Sequence, residues 1–135
     1  MNLYTDINAV SACREFSCSA CCRENSMPLT IRDIQRIVKK GFKPEDFIVR
    51  KNNERHLRNL EDSCVFLKEG KCTIYPIRPE GCRLYPLIYD SSKNRVIIDQ
   101  LCPHSENFNI KQNRSKQLRE LVKRIKREKR REFLI

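Results

Sequence analysis

Residues 71–86 read KCTIYPIRPEGCRLYP, and this stretch decides what kind of fold the chain can form. Nine residues separate Cys72 from Cys82, and two of them are prolines. Pro76 and Pro79 end any β-ladder, because proline has no backbone N–H to donate. They also stiffen the approach to Cys82 and lower the entropy lost when that thiol is ordered. We therefore predict a strand before the prolines and a helical turn around the second cysteine.

Short apolar runs on either side of this stretch predict hairpins. The runs at 64–67 and 72–75 flank a turn that contains Gly70, which is typical of a β-hairpin. A second hairpin is predicted between 84–89 and 96–98. The chain should therefore contain several short antiparallel pairs rather than one large sheet.

Three segments have helical patterns. Residues 30–40 carry one apolar stripe, with Thr30 and Asp33 spaced as a capping box. A second short helix is predicted over 44–49, with proline in its first turn. The third helix is predicted over 113–131, with its apolar positions at Leu118, Leu121, Val122 and Ile125. Residues 50–62, which include His56, are polar and predicted to be exposed to solvent.

Eight cysteines carry the candidate chemistry of the chain. They are Cys13, Cys18, Cys21, Cys22, Cys64, Cys72, Cys82 and Cys102. Two thiolates spaced like Cys18 and Cys21 can reach one metal atom from a tight loop. The other half of such a site must come from the later group of four. Neighbouring cysteines make a strained disulfide, so one of Cys21 and Cys22 is expected to serve a second metal atom, a second iron of a cluster, or packing.

The cysteines could also have a purely structural role. Scattered thiols often pack as small apolar groups, and a secreted protein would pair them as disulfides. The start of the chain lacks the basic and apolar regions of a signal peptide. We therefore expect a cytoplasmic location, where thiols stay reduced, and metal ligation becomes the leading interpretation.

The donor types limit which metal is bound. The chain has eight cysteines but two histidines, and this favours zinc or an iron–sulfur cluster over harder metals. Ligand type alone does not separate these two, and Cys102-Pro103 is similar to the Cys-Pro pair that ends ferredoxin cluster motifs. Of the two, a [4Fe–4S] cluster is the favoured cofactor. His104 could add an imidazole beside Cys102.

Length and charge define the organisation of the chain. The 135 residues suffice for one small domain, and no apolar run approaches the ~18 residues of a membrane span. Residues 1–110 carry 17 basic and 14 acidic side chains, whereas residues 111–135 carry 11 and 3. We predict a small, loop-rich α+β cysteine domain over 1–110, built around metal–thiolate sites, and a basic amphipathic helix over 111–135.

The basic segment has two interpretations. A cationic helix face attracts phosphate backbones, so residues 111–135 could bind nucleic acid. The segment offers no interleaved aromatic side chains for base stacking, so such binding would be non-specific and sensitive to salt. The alternative is a solvated charged face without a partner.

The motifs together resemble the CxxCxxCC family, small cysteine-cluster proteins described as zinc- or iron-chelating domains. The resemblance covers residues 13–103 and rests on the following segments: FSCSACCR at 16–23, LT and DI at 29–34, CVFL at 64–67, KCTIY at 71–75, Arg78-Pro79, Cys82-Arg83, Tyr85-Pro86 and Cys102. It implies that the cysteines chelate zinc or iron. Members also resemble the cysteine-rich part of a flagellin lysine N-methylase, which implies a cluster-dependent methyl-transfer enzyme as an alternative.

One position departs from the family pattern. The pattern requires C-x2-C-x2-C-C, but Glu15 stands where the first cysteine belongs. Either Cys13 replaces that ligand through a longer loop, or the ligand is absent. Arg78 and Arg83 beside the later cysteines either offset the negative charge of a thiolate site or are ordinary surface residues.

Overall fold

The computed structural model describes residues 26–129, and within that range the chain forms four α-helices and four short hairpins. The helices are α1 (Ile31–Lys39), α2 (Pro44–Phe47), α3 (Glu80–Leu84) and α4 (Gln112–Glu128). The strands are β1 (Ile48–Lys51), β2 (Glu54–Leu57), β3 (Asn59–Leu60), β4 (Ser63–Cys64), β5 (Leu67–Lys68), β6 (Lys71–Cys72), β7 (Leu87–Asp90) and β8 (Arg95–Ile98). The predicted α+β fold, with its short hairpins and C-terminal helix, is confirmed.

Each hairpin is an antiparallel pair of consecutive strands. Three of the turns place both central residues at positive φ, namely Asn52–Asn53, Glu61–Asp62 and Glu69–Gly70. Such turns have a backbone twist that matches the twist of the strands they join. The third is the predicted glycine turn, and its strands are only two residues long, with Leu67 opposite Cys72.

The prediction of an exposed segment at 50–62 is only partly correct, because residues 50–53 and 60–62 are exposed but residues between them pack inward. Strands β1 and β2 form a hairpin there, and Arg55 and Leu57 are each only 3% exposed. The turn at Asn52–Asn53 is possible because asparagine tolerates the left-handed region better than most residues. The pair of asparagines was the signal for this hairpin, but the charged residues around it masked the pattern.

Helix α1 begins as predicted. The Asp33 backbone N–H donates to the Thr30 hydroxyl, and the Thr30 N–H donates to the Asp33 carboxylate, both at 3.0 Å. Gly41 follows the helix at φ +104°, a positive value that glycine adopts more readily than other residues do. Helix α2 is shorter than predicted, since it ends at Phe47 and Ile48 already belongs to β1.

Most buried apolar side chains within residues 26–129 fall into two clusters. The first core lies around α1, β2 and the cysteine hairpins, and its buried members are Leu29, Ile34, Ile37, Phe47, Ile48, Leu57, Cys64, Phe66 and Ile74. The second core joins α3, the β7–β8 hairpin and α4, and its buried members are Leu84, Leu87, Val96, Leu118 and Leu121. Helix α3 therefore contacts both cores, because Cys82 packs against the first and Leu84 belongs to the second.

The β7–β8 hairpin was predicted, but its first strand begins later than expected. Leu84 ends α3, and β7 starts at Leu87. Pro86 therefore precedes the strand, and its carbonyl accepts a hydrogen bond from Asp99 N at 2.8 Å. This agrees with the rule that proline sits outside or at the start of a ladder.

Helix α4 is docked along its length by the predicted apolar stripe. Leu118 and Leu121 are buried in the second core, and Val122 and Ile125 pack against it. At the far end of the helix, the Glu128 carboxylate accepts a hydrogen bond from Ile31 N at 2.8 Å. No helix within residues 26–129 is long and apolar enough to cross a membrane.

Replacing Leu121 by alanine should lower the free energy of unfolding by about 2–4 kcal/mol, because Leu121 is 3% exposed and its loss leaves a cavity. Lys123→Ala, at an exposed position of the same helix, is the matched control and should change it by less than about 0.5 kcal/mol. Urea unfolding of both variants measures the difference. Equal values for the two would mean that α4 is not packed as described.

Candidate metal centre

Four of the eight candidate ligands lie within the described residues, and three of them pack against one core. Cys64 is a buried member of the first core, and the half-buried Cys72 and Cys82 lie against it. Cys102 is half-buried in the turn that follows β8. The remaining four candidates, Cys13, Cys18, Cys21 and Cys22, lie outside the described residues.

Two consecutive hairpins present Cys64 and Cys72 in the same way. Each cysteine ends the second strand of its hairpin, just after a turn with two residues at positive φ. The next residue in each case donates its N–H to a carbonyl seven positions earlier, Val65 to Arg58 at 2.9 Å and Thr73 to Phe66 at 2.8 Å. The chain thus contains a short structural repeat, which the sequence does not reveal because the two units share few identical side chains.

Helix α3, which carries Cys82, is held by the carboxylate of Asp33. Glu80 N, the first N–H of that helix, donates to Asp33 Oδ1 at 3.1 Å. Arg36 bridges the same region: its Nη2 donates to Asp33 Oδ1 at 2.9 Å and to the Arg78 carbonyl at 2.8 Å. Asp33 is 1% exposed, so these bonds form away from water and are correspondingly costly to break.

Asp33 therefore caps two helices, its own and the one that bears Cys82. Its capping-box spacing is visible in the sequence, but the bond to Glu80 joins residues 47 positions apart and has no local signal. The pKa of the nearby Glu80 carboxyl is raised, mainly by burial of that group and secondly by the negative charge of Asp33.

Arg78 is a buried cation close to Cys82. Its guanidinium lies 3.8 Å from the centre of the Tyr75 ring, and its Nε donates to the Tyr75 carbonyl at 3.1 Å. Burial lowers the pKa of Arg78 to about 10. The positive charges of Arg83 and Arg114 lower this pKa further, whereas a negative charge on Cys82 raises it. The guanidinium still stays protonated at neutral pH. Of the two interpretations of Arg78, charge compensation at a thiolate fits this buried position better than an ordinary surface role.

The positive charge around Cys82 has further contributors. Arg114 of α4 is 1% exposed and donates from Nη2 to the Arg83 carbonyl at 2.8 Å. Arg83 is half-buried and donates to the Pro76 carbonyl at 2.9 Å. Helix α4 thus adds a cation next to the residue that follows Cys82.

Gly81 lets the N-terminal part of the chain approach α3 closely. A Cβ at this position would lie 2.3 Å from the sulfur of Met27, so a larger residue would push that side chain away. Met27 itself packs against the first core. The Met27 side chain therefore packs against α3 at Gly81, the residue that precedes Cys82.

The Cys102 turn is tied to the end of α3 through Asp99. Tyr85 donates its hydroxyl to Asp99 Oδ2 at 2.6 Å, and Leu101 N donates to Asp99 Oδ1 at 3.0 Å. Cys102 N then donates to the Asp99 carbonyl at 3.1 Å. Asp99 thereby holds the backbone of the turn that carries Cys102.

The described residues alone do not complete a metal site. Within residues 26–129, no three side chains of histidine, cysteine, aspartate or glutamate lie close enough together to bind one ion. The donor chemistry nevertheless fits a soft metal, because the residues gathered at the first core are thiols flanked by cations.

Of the two histidines, His56 is more buried than predicted. His56 was predicted to be solvated, but its side chain is only 15% exposed, and its Nδ1 lies 2.6 Å from the Ser26 carbonyl oxygen. It belongs to the unpredicted β1–β2 hairpin, so both errors have the same cause. His104 is half-buried and directly precedes a 3-10 turn, Ser105–Asn107.

Comparison with known proteins identifies a family for this chain. Residues 12–113 match the model of a family named CxxCxxCC, with the description "Putative zinc- or iron-chelating domain". The matched range includes all eight cysteines and ends at the start of α4. No curated protein and no solved structure matches the chain.

Proposed function

Since the chain belongs to the CxxCxxCC family of zinc- or iron-chelating domains, we propose that its thiolates hold an iron–sulfur cluster of the [4Fe–4S] type rather than zinc. The observation that carries the proposal is the packing of Cys64, Cys72 and Cys82 against one apolar core, next to the buried Arg78. An apolar surrounding limits water around a cluster, and nearby donors and cations tune its potential. The same thiol set would bind zinc, so the proposed cluster needs a direct test.

The proposed ligands come from both cysteine groups. Cys18 and Cys21 provide one half, and Cys72 and Cys82 provide the other. Cys22 precedes Met27 by five residues, which span at most about 18 Å when extended, and Met27 lies against Gly81. The early thiols are therefore within reach of α3. Cys13, Cys22, Cys64 and Cys102 are the further candidates for completing this centre or a second one.

The residues around Cys82 would perform three tasks for a bound metal. Arg78 and Arg114 offset the negative charge of the thiolates. Asp33 orients α3 through Glu80 N, and the Cys64 and Cys72 hairpins set their sulfurs by local hydrogen bonds. When bound, an iron–sulfur cluster would supply one-electron chemistry or cross-link the segments.

The metal is identified by purifying the protein without oxygen and recording its visible spectrum with its iron, sulfide and zinc content. We expect a brown protein with broad visible absorption and iron and sulfide in equal amounts. A colourless protein with stoichiometric zinc would exclude the cluster but retain thiolate metal binding.

Single replacement of Cys18, Cys21, Cys72 or Cys82 by alanine should each lower the bound metal per chain, because each removes a thiolate donor. Lys71→Ala, an exposed change beside Cys72 in the same hairpin, is the control and should leave the metal content unchanged. Metal analysis of the purified variants measures the effect. Full metal content in the quadruple variant would contradict this ligand assignment.

A further inference from the structure

The solvent-facing side of α4 carries a continuous row of cations. Five basic residues recur at helical spacing on the face opposite Leu118 and Leu121, and we call them the cationic stripe: Lys116, Arg119, Lys123, Lys126 and Arg127. Four of them are exposed and Arg119 is half-buried. The stripe spans about 16 Å, at 1.5 Å per residue.

Acidic side chains of α4 do little to neutralise the stripe. The Glu128 carboxylate is bound to the start of α1, where it accepts the hydrogen bond from Ile31 N. Glu120 is exposed four residues after Lys116 and three before Lys123, so one carboxylate faces the five cations of the stripe. The nearby Glu54 carboxylate lies 3.5 Å from Lys129, which is outside the stripe. Repulsion among like charges four residues apart therefore persists in the isolated chain and would be relieved by a polyanion.

A second element extends the cationic surface beyond the helix. Arg119 donates from Nη1 and Nη2 to the side chain and backbone of Asn94, at 3.2 and 3.1 Å. This pins the β7–β8 turn beside the stripe. Lys93, which precedes Asn94, is exposed at that turn and adds a charge next to the helix. The sequence predicts the cationic helix but not the position of Lys93 beside it, because residues 93 and 119 belong to different predicted units.

The structure also distinguishes between kinds of polyanion. A helix that lies in a membrane surface buries its apolar face in the lipid, but here that face is already packed into the second core. The helix from Gln112 to Glu128 contains no aromatic residue, so it has no platform for stacked bases. A linear row of Lys and Arg without aromatics is suited to a phosphate backbone.

We propose that the cationic stripe, with Lys93 beside it, binds the phosphodiester backbone of nucleic acid without reading its sequence. Contacts to phosphates release condensed counterions, so the affinity should fall steeply and linearly in log–log form as salt rises. The proposal rests on the docked helix and its charges, and it holds whichever metal the cysteines bind.

The test measures binding of the full chain to a labelled DNA duplex of mixed sequence over a range of salt concentrations. The stripe variant carries K116Q, K123Q, K126Q and R127Q. Its slope of log affinity against log salt should be shallower by up to about 3.6, which is about 0.9 for each lost phosphate contact. Metal content and melting temperature of this variant should match the wild type, which separates a failure here from a failure of the proposed metal centre.

The matched control removes four exposed cations elsewhere, with K39Q, K40Q, K43Q and K51Q. We expect its slope to remain close to that of the wild type. An equal loss in both variants would overturn the proposal in favour of net charge alone. Absence of wild-type binding at low salt, or binding to phosphatidylserine vesicles but not to DNA, would also overturn it.

Discussion

Asp33→Ala should lower the free energy of unfolding by about 3 kcal/mol and reduce metal binding as well. The change removes the Asp33 half of the α1 capping box, so the buried Thr30 N–H and the part-buried Glu80 N–H lose their carboxylate acceptor, whereas the Thr30 hydroxyl cap remains. Each stranded buried donor costs about 1–3 kcal/mol. Because Glu80 begins the helix of Cys82, the thiol should lose its fixed position.

Two further variants isolate the role of Asp33. Asp46→Ala removes an exposed aspartate from the first turn of α2 and should cost less than about 1 kcal/mol. Asp33→Asn keeps one acceptor oxygen, so its cost should lie between those of the other two. Urea unfolding gives the stabilities, and metal titration under folding conditions gives the affinities. Unchanged metal affinity in Asp33→Ala would show that the carboxylate supports the fold but does not position Cys82.

Removing the metal should destabilise the protein more than either Asp33→Ala or Leu121→Ala. In small thiolate domains the binding free energy is largely folding free energy, about 10–16 kcal/mol for structural zinc. Cys64 belongs to the first core, and Cys72 and Cys82 pack against it. Loss of metal ligation should therefore loosen the packing of this core. Thermal melting followed by circular dichroism, before and after chelation, measures the change.

The control for chelation is a variant that lacks Cys72 and Cys82. If its metal content is already low, the chelator should not change its melting temperature further. Addition of metal to the stripped wild-type protein should restore the original melting temperature. Identical melting curves for the metal-loaded and the stripped protein would contradict a structural role for the metal.

Local signals in the sequence were sufficient for most elements of the fold. The capping box at Thr30 and the glycine turn at Gly70 both mark backbone geometry within a few residues, and both are present. The apolar stripe of α4 likewise predicted a docked helix. The β1–β2 hairpin was missed because its turn is formed by two asparagines among charged residues, where strand alternation is hard to recognise.

Long-range contacts around the candidate site could not be predicted in this way. The bond from Glu80 to Asp33 and the approach of Arg114 to the Arg83 carbonyl join residues 47 and 31 positions apart. Such contacts depend on how the elements pack, which a single sequence does not encode in any short motif. The family resemblance identified the cysteines, whereas only the structure assigned neighbours to Cys82.

The repeated hairpins of Cys64 and Cys72 bear on the order in which the molecule assembles. The bonds that hold these hairpins join residues only seven positions apart, as in the pair Thr73 and Phe66. Hairpins of this kind form within about 1–10 μs, and contacts between distant residues follow later. The two cysteine hairpins can thus form before α3 docks on α1. With the proposed ligands, the Cys72 hairpin would form first, and Cys82 would join it only when α3 docks.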